Sequence, residues 1–270
     1  MIRSRVKTII IILLIIIDLF IAALLLLNTA NEASTRAKTV AELSELLSGM
    51  GIELKEGAVG GRVYGFYTAE AARKTENEKS AAEILIGNTA ELSSSGGTNR
   101  FSAGDYEVSF GSDGAVSALV SAQDAGDMAS LASRMLSVSV PGRGGWSDKE
   151  ISKGTVWLFN QLYNGLPVYN CSLLFEKKGE SLAVSGNWVF GAIVGEGRSQ
   201  ARDIPAVILD FALENENRGL GVTLISSASA GYRASVYAGG NLILTPVCKL
   251  ETDKGIFYMN AQTGILLDIG

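Results

Sequence analysis

Apolar residues run from Ile9 to Leu27 with Asp18 as the one interruption, and Arg3, Arg5 and Lys7 stand in front of them. At about 1.5 Å per helical residue the run is roughly 28 Å long, close to the ~30 Å hydrocarbon core of a bilayer. The pattern predicts a cytoplasmic tip and transmembrane helix over residues 1–28. The run is longer than the apolar core of a cleaved leader and stays leucine-rich to its end, so the expected product is an uncleaved anchor. Basic residues precede the span, and the next ones, Arg36 and Lys38, follow at a distance beside Glu32. That bias predicts a single-pass cell-membrane protein, with the N-terminus cytoplasmic and residues 29–270 extracytoplasmic.

Asp18 falls near mid-span, where an ionised carboxylate costs about 2.5–3.5 kcal/mol on insertion scales. Two readings are open: hydrogen bonding to a polar group on another protein's transmembrane helix, or a neutral acid bonded back to its own helix carbonyls. Ala22 and Ala23 form a small-residue patch of the kind that lets two helices approach. With Phe20 beside them, Asp18, Phe20, Ala22 and Ala23 are the candidate partner-binding residues.

Past the anchor the period changes repeatedly. Val40, Leu43, Leu46 and Leu47 mark a helix over 32–50 that leads through Gly49 and Gly51 into a short strand at 52–54. Helices are predicted near 76–87, 127–136 and 201–217. Strands are predicted near 90–95, 99–101, 105–110, 115–121, 154–163, 167–177, 181–190, 222–238, 241–251 and 255–268, with Gly- and Ser-rich hairpin turns between them. The expected fold is α+β: a transmembrane helix, then repeated units of one helix and an antiparallel β-meander in two layers. The expected boundaries are an anchor at 1–28, a membrane-proximal lobe at 29–122, and a C-terminal lobe with two helix-meander repeats at 123–270.

Composition narrows function. With 47% apolar and 19% charged residues and four prolines, the chain has the make-up of a folding protein. Its net charge of −5 and scattered basic residues exclude a nucleic-acid binder. Beyond the first 28 positions 20 basic and 27 acidic residues remain, a net of −7, a surface repelled by anionic lipid and acidic wall polymers. Histidine is missing from the sequence, which removes the commonest general base, the commonest zinc ligand and the Ser-His and Cys-His nucleophile pairs. Neither a Gly-x-Ser-x-Gly elbow nor a Ser-x-x-Lys pair in a pocket-like context occurs.

The remaining candidates have ordinary explanations. Asp203, Asp210, Glu214 and Glu216 fall within the predicted third helix as an acidic solvated face. Gly195-Glu196-Gly197 with Arg198 lacks the end of a phosphate loop and is expected to connect a strand to that helix. Trp146, Trp157, Trp188, Tyr163 and Tyr169 could line a groove, but strand aromatics more often pack the sheet. Cys171 and Cys248 lie where a disulfide could persist, yet both sit in apolar strands and are expected as buried thiols. No cofactor, metal site or catalytic residue is predicted.

Three stretches carry a family resemblance: Lys7-Thr8-Ile9-Ile10-Ile11-Ile12 through Ile17-Asp18-Leu19-Phe20, then Gly231-Tyr232 with Leu244-Thr245-Pro246-Val247-Cys248-Lys249-Leu250-Glu251-Thr252, and finally Gly255-Ile256-Phe257-Tyr258-Met259-Asn260-Ala261-Gln262-Thr263-Gly264. They resemble the anchor, the Pro-Val strand and the closing hairpin of YycH/YycI-type two-component regulators, the YycI branch most. Cys248 stands where that family carries an aromatic, and PepSY-type domains close on a similar hairpin. The resemblance implies a non-enzymatic, single-span regulator of a WalK/YycG-type cell-wall sensor histidine kinase. It would contact the kinase through its transmembrane helix and ectodomain, with a YycH-like companion or a second copy of itself as a further partner. The alternative is a PepSY-like extracytoplasmic binding or inhibitory module for a hydrolase or wall component. A carboxylate-dependent wall hydrolase is a third, weaker reading.

Overall fold

The computed structural model describes residues 34–61, 66–87, 91–121, 128–138, 144–237 and 240–269. The anchor expected at 1–28, with Asp18, Phe20, Ala22 and Ala23, lies outside the described residues.

The chain divides into two units, Met1–Leu54 and Lys55–Gly270. In the first, α1 (34–49) buries Leu43 and Leu47, two of the four apolar positions that marked the helix, while Val40 is half-buried and Leu46 exposed. Its last turn closes with Met50 N–H and Ile52 N–H both donating to Leu47 O, and β1 (Glu53–Leu54) follows.

The second unit begins with β2 (Tyr67–Arg73), α2 (Thr75–Ile86) and a meander of β3 (Glu91–Ser95), β4 (Thr98–Ala103), β5 (Tyr106–Phe110) and β6 (Ala115–Ser121). Then come α3 (Met128–Ser137), β7 (Gly144–Ser152), β8 (Val156–Tyr163), β9 (Leu166–Lys178), β10 (Ser181–Asn187) and β11 (Gly191–Gln200). The chain ends with α4 (Ile204–Arg218), β12 (Leu224–Val236), β13 (Leu242–Thr252), β14 (Gly255–Asn260) and β15 (Leu266–Ile269).

Strands β2 to β15 hydrogen-bond into one mixed sheet in the order β11-β2-β13-β12-β9-β10-β6-β5-β4-β3, with β14 and β15 branching from β13, and β8 and β7 from β9. This overturns the expected fold of repeated two-layer helix-meander units behind a transmembrane helix. Strand, in one large sheet, dominates, and among the described residues no helix is long and apolar enough to cross a membrane. The units do not close on themselves: β10 pairs with β6 across the intervening α3, β2 lies between β11 and β13, and β12 meets β9 in parallel at Tyr232 and Val168. Three strands missing from the sequence pattern explain the difference. β2 buries alanines (Ala69, Ala71), which carry little strand signal; β7 is a polar edge; β11 is rich in glycine.

Two helical faces make the core. α2 and α3 supply Ala81, Ala82, Leu131 and Met135, which cluster with Phe101, Phe110, Phe159, Phe175 and Trp188. α4 enters through Pro205, caps at Gly219, and packs Phe211 on Phe257 at 5.1 Å. The opposite face of β12 and β13 carries half-buried polar side chains such as Ser229, Thr245 and Lys249, as antiparallel strands with one solvated side do.

Candidate interaction surface

Gly231 and Tyr232 point to opposite faces of β12. Tyr232 is fully buried between Phe66 and Tyr163, each ring edge-on at 5.2 Å. On the other side Tyr169 lies directly over Gly231, whose missing Cβ would sit 2.5 Å from Tyr169 Cε2 and 2.6 Å from Pro167 O. The Tyr169 hydroxyl reaches Ser229 Oγ at 2.9 Å, Ala230 O at 3.1 Å and Ser229 O at 3.2 Å. Burial pushes its phenol up to about 12, against the opposing effect of the Ser229 hydrogen bond. Asn170 clamps the same junction, donating to Ala234 O at 2.7 Å and accepting from Ala234 N at 2.8 Å.

Around Tyr169 the cross-strand register gathers a cationic and aromatic platform. Lys249 pairs with Ser229 on one side and Tyr258 on the other, so these residues share a face. Tyr169 and Tyr258 are 5.5 Å apart between ring centroids, Arg233 Cζ stands 4.7 Å over the Tyr258 ring, and Lys249 Nζ stands 5.7 Å from the Tyr169 centroid. Lys249 also makes an ion pair with Glu251 at 2.6 Å. Tyrosine and arginine held rigid on a flat sheet are the residue types that dominate binding energy at protein interfaces, and cations over aromatic rings gain about 0.5–1 kcal/mol where exposed.

The platform is held by the closing hairpin. Asn260 Oδ1 accepts from Gln262 N at 2.8 Å and Thr263 N at 3.0 Å, an Asx turn that Gly264 completes at φ +74. A Cβ on Gly264 would strike Arg202 and Asp210. Ala261 N donates to Pro246 O and Arg202 N to Ala261 O, both at 2.9 Å. Gln262 accepts from the Thr68 hydroxyl at 2.8 Å and donates to Ser199 O. The turn therefore staples β2, β11, β13 and the entry to α4. At the other end of β14, Asp253 sits in the turn from β13. Its desolvation works against ionisation, but the Leu224 and Thr223 N–H groups and the Thr223 hydroxyl outweigh it and hold the carboxyl below its usual range.

The other sequence candidates serve the fold. Asp210 pairs with Arg202 at 2.6 Å and Glu214 with Arg218 at 2.5 Å, while Asp203 and Glu216 are exposed. Gly195-Glu196-Gly197 lies inside β11 rather than in a connection, and Glu196 accepts from the buried Tyr163 hydroxyl at 2.8 Å. Trp188 is buried and borders the small cleft beside α2, and Trp146 and Trp157 pack half-buried against the core. Cys171 and Cys248 are free, buried thiols, each pushed up to about 12 by burial.

A cleft beside α2 contains the buried Glu78, which pairs with Arg73 and accepts from Asn99 at 2.7 Å. Arg73 also donates to Gly97 O at 2.6 Å and Phe110 O at 2.7 Å. The cavity volume there is about 10 Å³, which suits one water molecule. This is a clasp joining β2, α2 and the β3–β5 meander. Among the described residues no group of three or more Cys, Asp and Glu is placed to hold a metal ion.

Tyr169 was legible in the sequence as a candidate aromatic; Arg233, Lys249, Glu251 and Tyr258 were not. The signal for them was the period-two alternation along β13 and β14, in which Lys249, Glu251 and Tyr258 are the outward positions.

No family model matches the chain, and no curated protein does. Its fold is similar, at a TM-score of 0.44 and 11% identity, to the crystal structure of an uncharacterized protein from Eubacterium rectale ATCC 33656, over 81% of this chain and 90% of that one. Likeness at that level carries no functional inference.

Proposed function

We propose that the chain is a non-enzymatic, membrane-anchored extracytoplasmic regulator of a WalK/YycG-type sensor histidine kinase. It recognises the kinase with the apolar segment 1–28, through Asp18, Phe20, Ala22 and Ala23, and with the platform of Tyr169, Tyr258, Arg233 and Lys249. The observation that carries the reading is this platform: two tyrosine rings and two cations pinned in contact on the solvated side of a sheet whose other side is fixed by α4. The apolar run Ile9 to Leu27 and the resemblance of the anchor and closing hairpin supply the class of partner. Regulation then means binding one signalling state of the kinase more tightly than the other, since a ligand shifts an equilibrium only by its differential affinity. A shift from 1:99 to 99:1 needs about 5.5 kcal/mol, on the scale of about three interface residues worth about 2 kcal/mol each.

The test is co-expression of the full chain with the kinase in membranes, reading co-purification and kinase autophosphorylation. Asp18→Leu and the pair Arg233→Ala/Tyr258→Ala are each expected to lower recovery of the complex at least tenfold and to change kinase output. Unchanged recovery in both variants refutes the proposal. If the isolated ectodomain keeps a wall or hydrolase ligand while Asp18→Leu is silent, the PepSY-like binding reading replaces it.

A further inference from the structure

Among the described residues β7 pairs only with β8, so one side of a nine-residue strand has no ladder partner. The other strands at the margins of the sheet are blunted: β3 has five residues, β15 has four and a register shift, and β11 breaks register twice. Short and bulged edges discourage strand addition; β7 keeps a regular ladder over the seven residues from Gly144 to Glu150, and its one register shift, between Glu150 and Ser152, falls at its end.

The register also fixes what a strand laid on β7 would meet. Trp146, Asp148 and Glu150 lie opposite Gln161, Phe159 and Trp157, so they face the core side of the sheet. Gln161 and Phe159 are buried, and Trp157 stacks on Phe159 at 6.2 Å. The aromatic layer thus runs outward to Trp146 and Trp157, which remain half-buried where the sheet stops. Beside them Asp148 and Glu150 present exposed carboxylates on the same face, Glu150 anchored by Gly154 N–H at 2.6 Å. An apolar position followed by two acidic ones, at a spacing of two, defines its complement.

We propose that the free edge of β7 takes up an extended strand of a partner protein, with an apolar side chain against Trp146 and Lys or Arg against Asp148 and Glu150. Main-chain hydrogen bonds would supply the affinity and the alternate side chains the specificity. The site stands on a different strand from the platform and does not rest on the kinase reading.

The probe is a fluorescent seven-residue peptide in which threonine alternates with leucine, lysine and lysine, titrated against the full chain in detergent. Anisotropy should report binding, and Trp146 and Trp157 emission should shift to the blue as the peptide covers them. Methylating the peptide's alternate backbone nitrogens should weaken binding at least tenfold. Asp148→Lys, at an exposed position, should leave the melting temperature unchanged and reverse the preference by at least tenfold towards a peptide with glutamate in place of the one lysine that faces position 148, the lysine facing Glu150 being kept. Equal binding of the methylated peptide, an unreversed charge preference, or no binding at all overturns the proposal. So does concentration-dependent self-association that Asp148→Lys abolishes, since the occupant would then be a second copy of the chain.

Discussion

Gly231→Ala tests whether the platform is built by close approach across β12. The added Cβ would lie 2.5 Å from Tyr169 Cε2, 2.8 Å from Tyr169 Cζ and 2.6 Å from Pro167 O. The ring could swing away, but Pro167 O is backbone at the start of β9, so the strand itself must move. There β9 and β12 share one ladder pair, Val168 with Tyr232, reinforced by the Asn170 clamp and the Tyr169 hydroxyl. Overpacking of this kind costs about 1–3 kcal/mol, and losing the Tyr169 hydrogen bonds adds about 1 kcal/mol. The expected destabilisation is therefore about 2–4 kcal/mol in urea denaturation. Tyr169→Phe, which loses the hydroxyl without the clash, should cost about 1 kcal/mol. Adding Tyr169→Ala to Gly231→Ala should rescue only part of the loss, because the clash with Pro167 O stays. A Gly231→Ala protein within 0.5 kcal/mol of the parent, or full rescue by removing the ring, would show that the β9–β12 junction is not constrained as described.

Two further outcomes follow from buried groups. Arg73→Ala should cost about 3–5 kcal/mol, because it leaves the buried Glu78 carboxylate without its guanidinium. Thermal melts check this, and recovery of most stability in Arg73→Ala/Glu78→Gln would confirm the uncompensated charge as the cause. The thiols of Cys171 and Cys248 keep their protons in the folded state to about pH 12, whereas in the unfolded chain they ionise near 9.0. The unfolded state therefore binds fewer protons above pH 9, and stability should fall between about pH 9 and 12, by at most ~1.4 kcal/mol per pH unit for each thiol. Replacing both cysteines with alanine should flatten that slope in urea titrations at pH 8 and pH 10.5, and an unchanged slope would locate the alkaline lability elsewhere.

The sequence disclosed the elements far better than their arrangement. Helices with apolar positions three and four apart, such as Leu131 and Met135 in α3, stand where periodicity places them. So do the hairpin strands from β3 to β6, whose turns carry glycine. Strand order was not legible, because side-chain alternation says which face is buried and not which neighbour covers the edge. The alanines of β2 illustrate this: Ala69 and Ala71 are buried in a strand that lies between β11 and β13, and nothing in their alternation names those neighbours. The platform was hidden for a related reason, since Tyr169, Arg233 and Tyr258 come from three strands whose pairing had to be known first.

The residues that carry the family resemblance mostly build the junctions that hold the sheet. Gly231 makes room for Tyr169, Tyr232 fills the core, Pro246 O accepts from Ala261 N, Val247 is buried, and Asn260 and Gly264 shape the staple. Cys248 is buried and partners Ala230 and Met259 across the ladder, so this position serves packing rather than an exposed contact. Under the proposed function, discrimination between partners falls to the positions that alternate with the locked ones. Lys249 and Glu251 flank Leu250, and Tyr258 lies between Phe257 and Met259, so each of these outward residues is oriented by buried neighbours on its own strand. Exchanging these outward residues should alter what is bound and leave the fold intact, whereas exchanging their buried neighbours should do the reverse.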